Sequence, residues 1–461
     1  MDMIANRQKK ILVLSLMLGL GCGTSLAAPA ASAVPGAVMA EGGETAFLVT
    51  SVKIVGNKQH SEEEIRRLVP EASRMLVRPA RLSKQLSLLN DGQVMKIASR
   101  LQAKGNREYE LTLQVEEVKN DRFAVSVNNT GNDYTGNWRM GLNYFNTDIT
   151  HHGDALGVAY TTSPDEHFKD VKQAALTYKA ILPKAGDSMY FAYSYSDVDM
   201  GTIASFGNFN IDATGKGHTV ALHYQHNFKY SHARRQMLDA GVDYKRYENN
   251  QSWQGLGQNV KNDYDIMTFS ASYYDITRRK QDSYSWHACW TTNLAGDKED
   301  YEKVRAGADK NFNIFRLGGS YQYRTEDDWM LGVNVLGQYT PNKLVSSEQL
   351  GGGGAGSVRG FKERVATGDK GILANFEIYT PQFLKNSRFV LFCDTAYLVN
   401  NSPNVGEIEN RSLSSFGVGY RYADEKLGLG VSLDYAKVID DGGMTGKGIR
   451  RPWTFMLTKT F

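Results

Sequence analysis

Two side chains stand out for the chemistry they could do together. Arg359 closes a glycine-rich stretch, Gly351-Gly352-Gly353-Gly354-Ala355-Gly356-Ser357-Val358-Arg359-Gly360-Phe361, and Asp394 lies in Phe392-Cys393-Asp394. A guanidinium and a carboxylate can share two parallel charge-assisted hydrogen bonds, so such a pair can clasp a flexible loop to a rigid wall. The glycine run does not read as a phosphate cradle, because no Gly-Lys-Ser/Thr follows it. His218, His223 and His226 invite a metal reading, but strand parity turns His223 to the face opposite the other two, against one shared site. His151-His152 falls in a short turn, where solvation is expected. There is no Gly-x-Ser-x-Gly elbow and no Cys/His arrangement with a supporting acid. The expectation is therefore no enzyme activity, no cofactor and no metal.

A clasp needs a wall, and the composition suggests one. The 461 residues include 25 Tyr, 19 Phe and 45 Gly but only 10 Pro and 3 Cys. A mean hydropathy of −0.43 is too polar for a bundle of membrane helices. Beyond the N-terminus no stretch approaches the roughly 20 apolar residues that a spanning helix needs. With 53 basic against 50 acidic residues the net charge is only +3, which argues against a polybasic nucleic-acid binder. A transmembrane β-barrel confines its hydrophobicity to alternate residues, so its average stays polar.

The N-terminus has the three parts of a secretory signal peptide: Arg7, Lys9 and Lys10, an apolar run over 11–20, and small residues after it. Cleavage is expected after Ala27, with Ala33 as the alternative. Cys22 lacks the apolar residue three places upstream that lipidation requires. Residues 28–45 are rich in Ala, Pro and Gly and read as a linker, in which Pro29 and Pro35 oppose a long helix. Cys289 and Cys393 are expected on opposite faces of a sheet, as free thiols.

Residues 46–118 read as a compact α+β unit. A strand over 47–55 ends at Gly56-Asn57, and Ser61 with Glu64 forms a capping box for a helix carrying Ile65, Leu68 and Val69. A second helix follows over 82–89, then two strands over 93–101 and 109–117. From 119 to the end, helical periodicity all but vanishes and strand-like runs begin near sixteen positions: Arg122, Asn137, Asp154, Val171, Asp187, Gly217, Arg235, Tyr264, Asp282, Asn313, Asp328, Lys370, Ser387, Leu413, Lys426 and Ile449. They alternate with period two. Leu427, Leu429, Val431, Leu433 and Tyr435 share one face, and Gly428, Gly430, Ser432 and Asp434 the other. Ile372, Ala374, Phe376 and Ile378 likewise oppose Leu373, Asn375, Glu377 and Tyr379. Short connections near 148–153, 230–234, 324–327 and 423–425 alternate with long ones near 197–216, 249–263, 296–312 and 340–369. That asymmetry is expected of outer-membrane barrels, with the long loops outside. Parity on the strand around 389–397 points Phe392 and Asp394 into the lumen and Cys393 outward; on 286–290 it turns Cys289 inward.

On these residues the chain resembles a known superfamily. The β-α-α-β-β order of 46–118 resembles a POTRA (polypeptide-transport-associated) module. Val358-Arg359-Gly360-Phe361 is similar to the signature of the sixth outer loop in POTRA-plus-barrel translocases and insertases, and Phe392-Cys393-Asp394 to their Phe-any-Asp on the thirteenth barrel strand. Asn128-Asn129-Thr130-Gly131-Asn132-Asp133-Tyr134-Thr135-Gly136 with Arg139 and Gly153-Asp154, together with Leu88-Leu89-Asn90, resembles the two-partner secretion transporters of the hemolysin-activator class. The resemblance implies a mainly β fold, a 16-stranded antiparallel transmembrane barrel (119–461) after one small POTRA domain. It implies an outer-membrane site with the POTRA domain in the periplasm, and export of an unfolded, β-rich secreted partner. Terminal Phe461, after Trp453, Phe455 and Leu457, resembles the signal read by the outer-membrane assembly machinery. Lipid and that machinery are then further partners, nucleic acid is not one, and a monomer is expected. An insertase of the same superfamily is the alternative; a barrel enzyme or a plain porin fits less well. The class usually carries a plug helix and two POTRA modules, whereas this sequence has room for one module and no plug helix in 28–45.

Overall fold

The computed structural model describes residues 38–39 and 45–461, apart from 132–135, 167, 169–170, 207–208, 249, 254–257, 262 and 445–446. The expected signal peptide, Cys22 and nearly all of the 28–45 linker lie outside the described residues.

Sixteen antiparallel strands close into one barrel, as the alternation requires. In chain order they are Asp121–Asn128, Arg139–Asn146, Ala155–Thr162, Lys172–Leu182, Asp187–Phe206, Phe209–Tyr230, Arg234–Tyr247, Tyr264–Arg278, Asp282–Ala295, Asn313–Arg324, Met330–Tyr339, Lys370–Tyr379, Ser387–Val399, Asn410–Asp424, Leu429–Asp440 and Trp453–Thr460. The sixteenth pairs with the first, from Met456 with Asn128 to Thr460 with Ala124. Terminal Phe461 extends this closure, its N–H donating to the Phe123 carbonyl at 2.8 Å.

The strand parity read from the sequence holds. Met189, Phe191, Ile372, Phe376, Phe389 and Leu391 lie exposed on the outside, while Ala192, Ser194, Phe392 and Asp394 are buried within. Such a wide apolar exterior would be untenable in water and is what a bilayer demands. Cys393 is exposed and Cys289 turns inward, where its thiol meets Thr291; both are free thiols.

Two expectations need correction. Residues 197–216 are not a long loop: the fifth and sixth strands continue as a paired hairpin to Phe206 opposite Phe209. The segment carries Thr202, Ile203, Phe209 and Ile211, residues that favour extended backbone. The barrel region also holds a short helix, Lys298–Val304, capped by Asp297 accepting from the Glu299 N–H at 2.8 Å.

The N-terminal unit is a small sheet backed by two helices. Strand Thr45–Val55 runs parallel to Glu108–Glu117, which pairs antiparallel with Met95–Gly105. Among the described residues, Met95–Gly105 has a partner on one side only and forms a sheet edge. Helix Glu62–Leu68 begins with the capping box of Ser61 and Glu64. In helix Pro79–Asp91, Leu88 and Leu89 are buried, and the Asn90 side chain bonds the N–H and carbonyl of Ile97 at 2.7 and 2.9 Å.

This unit is docked against three barrel turns. Ile181 of the fourth strand joins its hydrophobic core with Leu68, Leu89, Leu111 and Leu113. Gly153, at φ +73°, lies where a Cβ would come within 3.2 Å of the Leu68 side chain. Lys84 reaches Asp187 at 3.4 Å, and Arg235 pairs with Asp91 at 2.5 Å. His60, wholly buried, is gripped from both sides: Nε2 meets Asp148 of the first turn at 2.6 Å, and Nδ1 meets Glu117 at 3.0 Å.

Candidate functional site

The sixth loop on the barrel end opposite the N-terminal unit, residues 340–369, folds back into the lumen. Its tip carries Val358, Arg359, Gly360 and Phe361. Val358 and Phe361 are fully buried with Leu350 and Ala366 against Ala396, Leu398 and Leu413 of the thirteenth and fourteenth strands. Apolar residues are unusual on the inner face of such a barrel, and here they give the loop a dry seat. Each fully buried side chain of this size stabilises docking by about 1.5–3 kcal/mol. Gly360 sits at φ +94°, which strains any side chain, and a Cβ there would press on Ala436 at 3.1 Å. Gly360 and Phe361 pair with Arg451 and Arg450 of the eighth loop.

Arg359 is 5 % exposed and Asp394 fully buried. The guanidinium makes the bidentate pair that the sequence suggests: Nε to Oδ2 and Nη2 to Oδ1 of Asp394, both at 2.7 Å. The Arg359 backbone N–H also donates to Asp394 Oδ2 at 3.1 Å. Phe392, two residues before Asp394 on the same face, lies flat beneath the guanidinium at 3.6 Å. This placement gives both parts of Phe392-Cys393-Asp394 a contact with one arginine.

Three further wall residues complete the site and were not linked to it by sequence reasoning. Glu377 accepts from Arg359 Nη1 at 2.8 Å, Asn375 donates to Asp394 Oδ1 at 2.9 Å, and Asp434 lies 3.9 Å from Arg359 while pairing with Arg421 at 2.6 Å. Parity already put Asn375, Glu377 and Asp434 on the inner face. Their nearness to Asp394 depends on strand register, with Asn375 opposite Asp394 and Glu377 opposite Phe392, which residue types alone do not reveal. Three carboxylates face two arginines, so the formal charge of the cluster is −1. The arrangement can hold a loop and release it; nothing in it resembles a nucleophile with its base.

The histidines separate as parity requires. His223 points inward between Asp239 and Asp243 at 2.6 and 3.1 Å, whereas His218 stacks on Tyr193 outside. His151 is not purely solvated: its Nδ1 lies 3.5 Å from Asp148, beside His60. Arg139, from the first-hairpin pattern, is buried and donates to the carbonyls of Gly136 and Trp138 and to Ser163 Oγ, each at 2.8 Å, which fixes that hairpin's turn.

A sequence profile described as haemolysin secretion/activation protein ShlB/FhaC/HecB matches residues 108–422, well over half of the chain. The chain belongs to that family. It is 22 % identical over 356 residues to the heme/hemopexin transporter protein HuxB of Haemophilus influenzae, covering 72 % of this chain and 59 % of HuxB. The chain thus spans less than two thirds of that relative. Among solved structures, CdiB from Acinetobacter baumannii aligns over 90 % of this chain and 74 % of its own, with a TM-score of 0.69 at 16 % identity. BamA from Haemophilus ducreyi, lacking POTRA domains 1–3, aligns over 90 % of this chain and 85 % of its own at 0.54 and 16 %. Family and apolar exterior together place the barrel in the outer membrane.

Proposed function

We propose that this chain secretes a large, β-rich partner protein through its barrel, by two-partner secretion. The observation that carries the reading is the Arg359–Asp394 clasp on a loop folded into the lumen of a family barrel. In this reading the N-terminal unit is a periplasmic POTRA domain. The unfolded partner adds a strand to the free edge of Met95–Gly105, where backbone hydrogen bonds tolerate many sequences. It then enters the lumen as the tip of the sixth loop leaves its seat. Folding outside the cell supplies direction, since the chain carries no nucleotide motif. Phe461 serves as the assembly signal as well as a seam residue, and the transporter acts as a monomer without enzymatic chemistry. The test is to look beside this gene for an open reading frame encoding a large exported repeat protein, co-express the two, and read partner in the medium. Partner retained inside cells that carry the assembled wild-type barrel would sink the proposal.

One observation favours a second reading, an insertase of the same superfamily. The closing seam has five ladder pairs, against seven between the fifteenth and sixteenth strands. Its hydrogen bonds continue at both ends, through Phe461 to Phe123 and Asn129 to Phe455, so the seam is shorter without being open. The weaker fit to BamA than to CdiB also leaves secretion the better supported reading.

A further inference from the structure

The sixth loop is held at two places. Its tip is held in the lumen by the clasp. Its root, 340–349 and 366–369, is held at the rim by the neighbouring loops, and the centre of that grip is Arg305. This residue caps the C-terminus of helix Lys298–Val304 in the fifth loop and is 6 % exposed. It donates to Asp369 Oδ1 at 2.6 Å, to the Leu344 carbonyl at 2.7 Å, to both oxygens of Glu407 at 2.8 and 3.1 Å, and to Asn400 Oδ1 at 3.2 Å. Asp369, itself fully buried, accepts from the backbone N–H of Leu344 and of Asn401 at 3.0 and 2.7 Å. One arginine thereby ties the fifth, sixth and seventh loops together.

Hydrocarbon reinforces the root as it does the tip. Leu344 and Val345 are fully buried with Tyr301 and Phe312 of the fifth loop and with Ile266 and Ile314 of the wall. Lifting the root would expose that cluster and part the Asp369 carboxylate from Arg305 and from the Asn401 N–H. Lifting the tip leaves Asp434 still paired with Arg421, Glu377 still bonded by Tyr379 at 2.7 Å, and Asp394 still bonded by Asn375. Between root and tip the backbone turns at Gly353 and Gly354, at φ +103° and +106°.

We infer that Arg305 is a positioning residue that fixes the root of the sixth loop, so that release of Arg359 swings the tip alone, about residues 353–354, while the rim stays assembled. This rests on the proposed role of the loop as the element that moves.

The test uses two disulfide staples in the full chain with Cys289→Ser and Cys393→Ser. A root staple joins Asp309→Cys to Lys343→Cys, whose backbones share a 2.8 Å hydrogen bond. A tip staple joins Phe361→Cys to Arg450→Cys, which are paired in register. Purified barrels are recorded in planar bilayers with and without a dithiol reductant. The tip staple is expected to abolish transitions to the larger conductance and the reductant to restore them, while the root staple leaves them unchanged. In the unstapled chain, Arg305→Ala should raise the transition frequency several-fold and Arg305→Lys should recover part of the change. A root staple that silences the channel as fully as the tip staple overturns the inference. So do a tip staple without effect, a channel with no transitions in any form, and an Arg305→Ala channel indistinguishable from wild type. Because no partner is present in the bilayer, failure of export with these transitions intact would count against the secretion reading alone.

Discussion

Replacing Arg359 by alanine is the most informative single perturbation. It removes two hydrogen bonds to Asp394, one to Glu377 and the stacking on Phe392. Stripping one partner from a buried ion pair costs about 3–5 kcal/mol, because the remaining charge is left without compensation. Loss of the cation–π contact adds about 0.5–2 kcal/mol. The wall does not unfold in response, since the strand bearing Asp394 is paired along its whole length on one side and over 390–399 on the other. The cheaper relaxation is for the tip to leave and water to reach Asp394. At roughly 1.4 kcal/mol per factor of ten, the combined loss of about 3.5–7 kcal/mol should shift the docking equilibrium by about three-hundred- to a hundred-thousand-fold. The expected result is a barrel that assembles normally and stays heat-modifiable in gels, with trypsin cleavage rising at Lys362 and Arg364 and partner in the medium falling at least several-fold. Exchanging the two charges, Arg359→Asp with Asp394→Arg, should recover only part of the loss, because an acid at 359 would face Glu377 at the 2.8 Å position the guanidinium now fills. Wild-type cleavage and wild-type export in Arg359→Ala would refute the clasp.

His60 should make docking of the N-terminal unit pH-dependent. Its hydrogen bond to Asp148, helped by Glu117 and opposed by burial, raises its pKa to about 9. A raised pKa means the stabilisation is complete below about 6.5 and is lost as pH rises through about 9. Proteolysis of the connector at 118–120 should therefore increase from pH 7 to 9.5 in wild type, and be high and flat in His60→Gln; a flat wild-type profile would refute this. The two thiols should report the wall's two faces: a lipid-soluble maleimide should modify Cys393 and a water-soluble one should reach only Cys289. The reverse pattern would show the parity to be wrong. Shortening the sixth loop between Gly351 and Gly360 should raise single-channel conductance substantially, whereas deleting 28–45 should barely change it. The opposite outcome would mean that the N-terminal segment, not the loop, obstructs the pore.

Strand number and facing were legible because a barrel writes them in a local code. Each residue's side follows from its parity, and a lipid-facing Leu429 or Phe376 differs sharply from a lumen-facing Asp434 or Glu377. Register is not local. It is set by turn lengths and bulges around the whole circuit, so the sequence could put Asn375, Glu377 and Asp434 inside without putting them beside Asp394. Opposite charge made Arg359 and Asp394 eligible partners, but a family resemblance singled them out. The paired continuation over 197–216 was missed for the opposite reason: strands that run beyond the apolar band lose the outward hydrophobic signal while keeping their backbone ladder. His60 had no signal at all. It precedes a capping box, and only docking of the two units turns it into a buried link between Glu117 and Asp148.

The size of the clasp suits a gate better than a structural strut. Moving a two-state element from 1:99 to 99:1 takes about 5.5 kcal/mol of differential binding. Stripping the arginine from the buried pair costs about 3–5 kcal/mol, and the burial of Val358 and Phe361 contributes about 3–6 kcal/mol more, so the two together meet or exceed that differential. An unfolded chain can match it by laying a few apolar side chains on the seat of Ala396, Leu398 and Leu413 that the tip vacates. The loop supplies one arginine while the wall supplies the surplus of carboxylates, and two of those keep other partners when the loop departs. The released wall is thus left with a single weakened site, Asp394, rather than three. A clasp built the other way, with the acids on the loop, would leave Arg421 and its neighbours unneutralised in the pore each time the gate opened. On this arrangement the electrostatic cost of opening is concentrated in one pair, beside the burial of Val358 and Phe361.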